Sequence, residues 1–125
     1  MTRIVYLIPS TAHITGGQKV SVRHVQALRA AGFHAEIAAG GEPSASPLLS
    51  ALDKSIFAAH VQESDIVVVP EDQVEPLRYV SQMPNEKVVF IQNHIVGVSS
   101  GILRLEASEL ERFDHFIACS HMAAI

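Results

Sequence analysis

The first loop of this sequence carries residues of the kind that bind an anionic ligand. It contains His13 and ends in Thr15-Gly16-Gly17-Gln18, where a helix is predicted to begin. Glycines at a helix N-terminus let a phosphate approach backbone N–H groups that have no partner within the helix. A plain tight turn would also use two glycines, so both interpretations of Gly16-Gly17 stay open on the sequence alone.

Two further groups of polar side chains follow apolar runs. His94, preceded by Asn93, could donate a hydrogen bond to a substrate, and plain solvation of a loop side chain explains it equally well. For Glu71 and Asp72, helix-start chemistry with Asp72 as N-cap is the favoured interpretation. The alternative for these two is a carboxylate that binds substrate hydroxyls.

The seven histidines do not have the spacing of metal ligands. They include no pair four residues apart and no His-Glu-x-x-His segment, and Cys119 is the only cysteine. We therefore predict no metal site. His24 lies on the apolar stripe of its predicted helix, which favours a packed, hydrogen-bonded core histidine over a ligand.

The elements that would position these residues alternate along the chain. Five apolar runs predict strands at residues 4–8, 35–39, 66–69, 88–91 and 116–119. Four stretches between them predict helices at residues 18–31, 48–59, 72–82 and 102–112. In the first helix the apolar stripe consists of Val20, His24, Leu28 and Ala31, with Val25 at its edge. Apolar runs without alternation are typical of parallel strands buried on both faces. We therefore predict an α/β fold, a three-layer α/β/α sandwich with a mostly parallel sheet of about five strands and the first strand central.

Composition and net charge argue against several classes of function. The chain has 125 residues and a net charge of −4, which gives no positive surface for nucleic acid. It contains no apolar run of about 20 residues and no signal-peptide core, so we expect no transmembrane segment and a cytoplasmic location. Ser120 and the five residues after it resemble an N-cap and the first turn of a fifth helix. We therefore expect a domain truncated at the C-terminus, with an uncovered apolar surface that favours self-association.

Four segments, in this order and spacing, resemble the amino-terminal part of the family 4 glycosyltransferases with the GT-B fold. They are HITGGQKV at residues 13–20, SDIVVVP at residues 64–70, VVFIQNHI at residues 88–95 and FDHFIACSHMAA at residues 113–124. A family phrase of glycine followed by histidine also has a counterpart in Gly32-Phe33-His34-Ala35, with one residue more between the two. The resemblance covers nearly the whole chain.

The resemblance implies a retaining enzyme of two Rossmann-like domains that moves a sugar from a nucleotide-sugar donor to a sugar or lipid acceptor. Residues 1–125 would form the amino-terminal, acceptor-side domain. Gly16 and Gly17 would approach the donor diphosphate, and His94 would be the catalytic residue near the reacting sugar. A substrate-binding role would extend to His13, Gln18 and Asn93.

The family usually needs no metal or other cofactor, and its carboxy-terminal domain supplies most nucleotide contacts. That domain is absent from residues 1–125, so the resemblance implies that the chain alone is inactive. The alternative is a non-catalytic Rossmann-like or flavodoxin-like module that binds a ligand or a partner protein.

Overall fold

A computed structural model of the chain describes residues 2–8, 16–43, 46–71, 74–91 and 105–118. Strands and helices alternate along them. The strands are β1 (Ile4–Ile8), β2 (Ala35–Ala39), β3 (Ile66–Pro70), β4 (Glu86–Ile91) and β5 (His115–Ala118). The helices are α1 (Gly16–Ala30), α2 (Pro47–Ser50), α3 (Val74–Ser81) and α4 (Ala107–Leu110), with a 3-10 turn at Lys54–Ile56. Each predicted strand is present, with bounds that agree within two residues where the residues are described.

The five strands form one sheet in the order β2-β1-β3-β4-β5. The pairs β1–β2, β3–β4 and β4–β5 are all parallel, with Ile8 opposite Ala39 and Val68 opposite Val88. This confirms the predicted α/β fold with a parallel, Rossmann-like sheet. The first strand is interior, as expected, although β3 is the middle strand. The chain divides into two compact units, Met1–Asp65 and Ile66–Ile125.

In the first unit, α1 packs on β1 and β2. Its most buried side chains are Ser21, Val22 and Val25. The predicted stripe through Val20, His24 and Leu28 is only half-buried, and Ala31 is exposed. The sequence therefore predicted the buried face of α1 only in part: Val25, at the edge of the predicted stripe, is fully buried, whereas the stripe itself is not. Helical periodicity alone does not show which side the sheet will cover.

The predicted helix over residues 48–59 is also wrong. Helix α2 ends at Ser50, and Phe57 is extended and bridges to Ile37 of β2. The Ala58 N–H donates to the Ile37 carbonyl at 2.8 Å. The Asp53 carboxylate accepts a hydrogen bond from the Ser55 N–H, which favours a new 3-10 turn and lowers the pKa of Asp53. Strand pairing along the edge of β2 has replaced the helix.

In the second unit, α3 lies within the predicted helix over residues 72–82. The side chain of Lys87 is buried beyond the end of α3, where its ammonium donates to the carbonyls of Met83 (3.0 Å) and Asn85 (2.8 Å). Two backbone carbonyls of the segment after α3 thus provide this buried cation with hydrogen-bond partners, which offset the cost of removing it from water. On α4, Glu109 accepts a hydrogen bond from Arg78 of α3 at 2.7 Å.

The helix predicted over residues 102–112 is described only from residue 105 onward, and α4 is four residues long. Cys119 and the predicted fifth helix after Ser120 lie outside the described residues. On strand β5, 49 % of Phe116 and 43 % of Ile117 are exposed. Self-association stays a prediction. Among the described helices, none has the length and apolar character needed to cross a bilayer.

Candidate functional site

Helix α1 begins at the glycine pair. Gly16 and Gly17 form its first two residues, in the first unit and after the end of β1. Both therefore have right-handed helical backbone, which any residue adopts, whereas Gly32 has φ +93°. Residues 9–15, which lead into the glycine pair, lie outside the described residues, so the choice between a phosphate-binding loop and a plain turn stays a prediction. Since the backbone does not require glycine there, what the two glycines provide is a helix end without side chains.

The first turn of α1 suits an anion for a second reason. It contains no acidic residue, so no carboxylate of the turn opposes the partial positive charge of the helix N-terminus. Gln18, the third residue, is partly buried. The other predicted site residues, His13, Asn93 and His94, lie outside the described residues.

A cavity of about 390 Å³ lies in the first unit beyond the carboxyl end of β2, and we refer to it as the β2 cavity. Ligands of open parallel sheets bind at this end of the strands. Its lining is mainly apolar and consists of Pro43, Leu49, Leu52 and Phe57, with Glu42, Ser50 and Lys54 as the polar members. The break in the predicted helix creates one wall, because Phe57 lies on the extended segment that follows the 3-10 turn.

Hydrogen bonds hold the opposite wall of the β2 cavity in place. Ser46 is buried and caps α2, where its hydroxyl accepts from the Leu49 N–H at 3.3 Å. The Ser46 N–H donates to the Pro43 carbonyl at 3.1 Å. Leu49 is fully buried. All the lining residues of the cavity belong to the first unit.

Most of the other charged side chains of the first unit have a hydrogen-bond or ion-pair partner, but the two at the β2 cavity have none among the described residues. Glu42 and Lys54 are both exposed. Neither side chain makes an ion pair or hydrogen bond with any other residue in the ranges that the structure describes. One carboxylate and one ammonium are therefore available at this cavity for the polar groups of a ligand.

Glu71 is placed differently in the second unit. It follows β3 directly, and its N–H donates to the Phe90 carbonyl at 3.2 Å, which extends the pairing with β4. Only 1 % of the residue is exposed, and α3 begins three residues later at Val74. Glu71 is thus a buried residue of the sheet end and does not lie in the first turn of the helix. The predicted cap Asp72 lies outside the described residues.

A cluster of titratable side chains lies at the opposite, amino-terminal edge of the first unit. Arg3 donates two hydrogen bonds to the carboxylate of Asp65, at 3.0 and 2.6 Å, and lies 3.5 Å from Glu36. His34 lies 2.7 Å from the other oxygen of Glu36. Burial raises the pKa of Asp65, but the hydrogen bonds and charge of Arg3, with the Gln62 N–H, outweigh it and hold that pKa below its usual range.

His24 is a packed, hydrogen-bonded histidine, as predicted. Its Nδ1 lies 3.1 Å from the Tyr6 hydroxyl, and the two rings meet edge to face at 5.8 Å. His24 is half-buried and does not lie in the innermost core. Burial raises the pKa of Tyr6.

Within the described ranges, no three His, Cys, Asp or Glu side chains are grouped so that they could hold a metal ion. Comparisons with protein-family models, with curated proteins and with solved structures find no match to this chain.

Proposed function

We propose that this chain is the acceptor-side domain of a family 4 glycosyltransferase with the GT-B fold. The observation that carries the proposal is the start of α1 at Gly16-Gly17, beyond the end of a strand in a parallel α/β fold. The four sequence segments that resemble the family support the same conclusion.

In this proposal the N-terminus of α1 stabilises the diphosphate that leaves as the sugar is transferred. The first N–H groups of the helix have no helical partner, and they point toward an approaching anion. Fixed dipoles of this kind stabilise developing charge without reorganising during the reaction. The absence of a side chain at Gly16 and Gly17 lets a phosphate reach these groups.

The remaining roles come from the sequence resemblance. His94 would lie near the reacting sugar and donate a hydrogen bond to it, with Asn93 beside it. His13 and Gln18 would contact substrate on either side of the glycine pair. A carboxy-terminal domain would supply most nucleotide contacts, and we therefore expect residues 1–125 alone to transfer no sugar.

Two observations test the proposal. The reading frame beyond Ile125 is expected to encode a second Rossmann-like domain with a pair of glutamates, and a stop codon at that point would contradict it. In the two-domain enzyme, transfer is measured with a panel of nucleotide sugars and acceptors, and His94→Ala is expected to lower kcat at least tenfold with an unchanged melting temperature. Wild-type kinetics in His94→Ala would remove that residue from the mechanism.

A non-catalytic ligand-binding module is the second candidate function. The β2 cavity favours it, because the first unit forms this cavity by itself. Calorimetric titration of the 125-residue chain with UDP and GDP separates the two candidates. Micromolar nucleotide binding by this chain would favour the module, whereas the transferase proposal predicts little affinity without the second domain.

A further inference from the structure

We propose that the β2 cavity binds the apolar part of an amphipathic small molecule, with the hydroxylated head of that molecule held by Glu42 and Lys54. A role of the cavity as an acceptor site rests on the proposed transferase function, but binding to the cavity is measured without any transferase activity. The proposal specifies an alkyl- or aryl-linked sugar, and free sugars are expected to bind poorly.

The size and position of the cavity fit a small molecule. Its volume of about 390 Å³ is roughly that of a dozen water molecules in the liquid. Ligand pockets span about 300–1,000 Å³ and are mostly apolar with a few placed polar groups. The lining of the cavity belongs to the segment that follows β2, the edge strand of the sheet.

The lining indicates which part of the ligand enters. Leu52 and Phe57 are half-buried and face the cavity, above the buried side chain of Leu49. An apolar group that covers Leu52 and Phe57 removes their surface from water, and a polar group there would lose its own water without a hydrogen-bonding partner. The apolar part of the ligand is therefore placed inside.

The two charged side chains indicate which part of the ligand stays outside the cavity. The Glu42 carboxylate accepts hydrogen bonds from hydroxyl groups, and the Lys54 ammonium donates them. Because the two charges are opposite, a neutral head with several hydroxyls suits the cavity better than an anion or a cation. A sugar linked to an alkyl or aryl group has both features.

The walls are set before a ligand arrives. Phe57 is held by the bridge to Ile37 and by the Ala58 N–H, and Leu49 is held by the cap on α2. A rigid cavity loses little conformational freedom when it binds, so a small apolar contact is enough for measurable affinity.

The test uses the 125-residue chain and octyl β-D-glucoside below its micellar concentration, followed by amide chemical shifts. Saturable shifts are expected at residues 42–57. Methyl β-D-glucoside, which has the same head without the chain, is expected to bind at least tenfold more weakly. Equal binding of the two glucosides, or no saturable shift with octyl glucoside, would overturn the proposal.

Two matched variants locate the binding. Ser50→Trp places a large side chain in the β2 cavity from an exposed position and is expected to weaken octyl glucoside binding at least tenfold. Ala27→Trp makes the same change, also from an exposed position, at a separate apolar groove of about 270 Å³ beside Tyr6 and His24. It is expected to leave binding unchanged. Loss of binding in Ala27→Trp with retention in Ser50→Trp would place the site in that groove and refute the proposal.

The charges are tested by Glu42→Gln and Lys54→Gln. Each is expected to weaken octyl glucoside binding about threefold and to leave the binding of 1-octanol, which has no sugar, unchanged. Octyl glucoside binding at wild-type strength in both variants would refute the role given to the two charges. None of these measurements uses a nucleotide or detects sugar transfer. The cavity proposal and the transferase proposal are therefore tested separately, and either can be refuted while the other stands.

Discussion

Charged side chains are arranged in opposite ways at the two edges of the first unit. At the amino-terminal edge, Arg3, Asp65, Glu36 and His34 are linked by hydrogen bonds and ion pairs, and the side chain of Asp65 is only 2 % exposed. At the carboxyl edge, the first turn of α1 has no side chain at two positions and no acidic residue. The β2 cavity at that end adds two exposed charges without a protein partner in the described ranges.

This difference separates stability from binding. Removing one partner of a buried ion pair is costly because it leaves the other charge uncompensated, and a charge held by such partners has no capacity left for a ligand. An exposed charge that lacks a protein partner contributes little to folding and keeps its capacity for a ligand. We therefore expect substitutions at the amino-terminal edge to change stability, and substitutions at the carboxyl edge to change binding or turnover.

The largest effect on stability is expected at Asp65. Asp65→Asn removes the charge that faces Arg3 and is expected to lower the free energy of unfolding by about 3 kcal/mol. The value lies at the low end for a broken buried pair, because Arg3 keeps Glu36 and the His60 carbonyl as partners. Urea denaturation at pH 7 measures it. A loss below about 0.5 kcal/mol would mean that the cluster does not hold this edge together.

The same variant has a defined pH dependence. Because the pKa of Asp65 is lowered in the folded chain, its stabilising effect is present above the unfolded value of about 3.9 and is lost as the pH falls through the folded pKa. Wild type and Asp65→Asn are therefore expected to converge in stability once the pH has fallen below the folded pKa of Asp65. A difference that persists unchanged at that pH would assign the effect to packing and not to charge.

The next effect is expected at Gly17 and appears in turnover. Gly17→Val in the two-domain enzyme places a side chain where the phosphate would approach, and kcat/KM is expected to fall at least tenfold, which is about 1.4 kcal/mol. Gly17→Ala is the companion variant for the 125-residue chain. It is expected to raise its stability by about 0.4–1 kcal/mol, because alanine fits helical backbone and restricts the unfolded chain. Wild-type turnover in Gly17→Val would contradict the role given to the helix end.

A smaller effect is expected at Ser46, which caps α2 beside the β2 cavity. Ser46→Ala leaves the Leu49 N–H without its acceptor and is expected to cost about 1 kcal/mol in urea denaturation. Ser46→Thr, which keeps a hydroxyl, serves as the control. Equal losses in the two variants would show that the size of the side chain, and not the hydrogen bond, matters at this buried position.

The smallest effect on stability is expected at Glu42. Glu42→Gln removes a charge without a partner in the described ranges, so the free energy of unfolding is expected to change by less than about 0.5 kcal/mol. Set beside Asp65→Asn, it is the same kind of change at the other edge of one unit. If both variants lost equal stability, the contrast between the two edges would be wrong.

Part of the candidate site could be predicted from sequence. The position of Gly16-Gly17 at a helix start follows from local pattern, and so does the placement of the 40–47 loop at the carboxyl end of a strand. The β2 cavity could not be predicted, because it depends on the pairing of Phe57 with Ile37, twenty residues away. The Arg3–Asp65 pair spans 62 residues and leaves no local signal of any kind.

By itself, the sequence determined the strands of this protein and their parallel arrangement. A continuous apolar run such as Ile4–Ile8 is stable only when both of its faces are covered, and that requirement is local. Only the tertiary structure decided which face of α1 is buried and where the chain after α2 leaves the helix. In both cases a long-range interaction outweighed a weak local preference. For α1 this interaction was contact with the sheet, and for the chain after α2 it was the hydrogen bonding along the edge of the sheet.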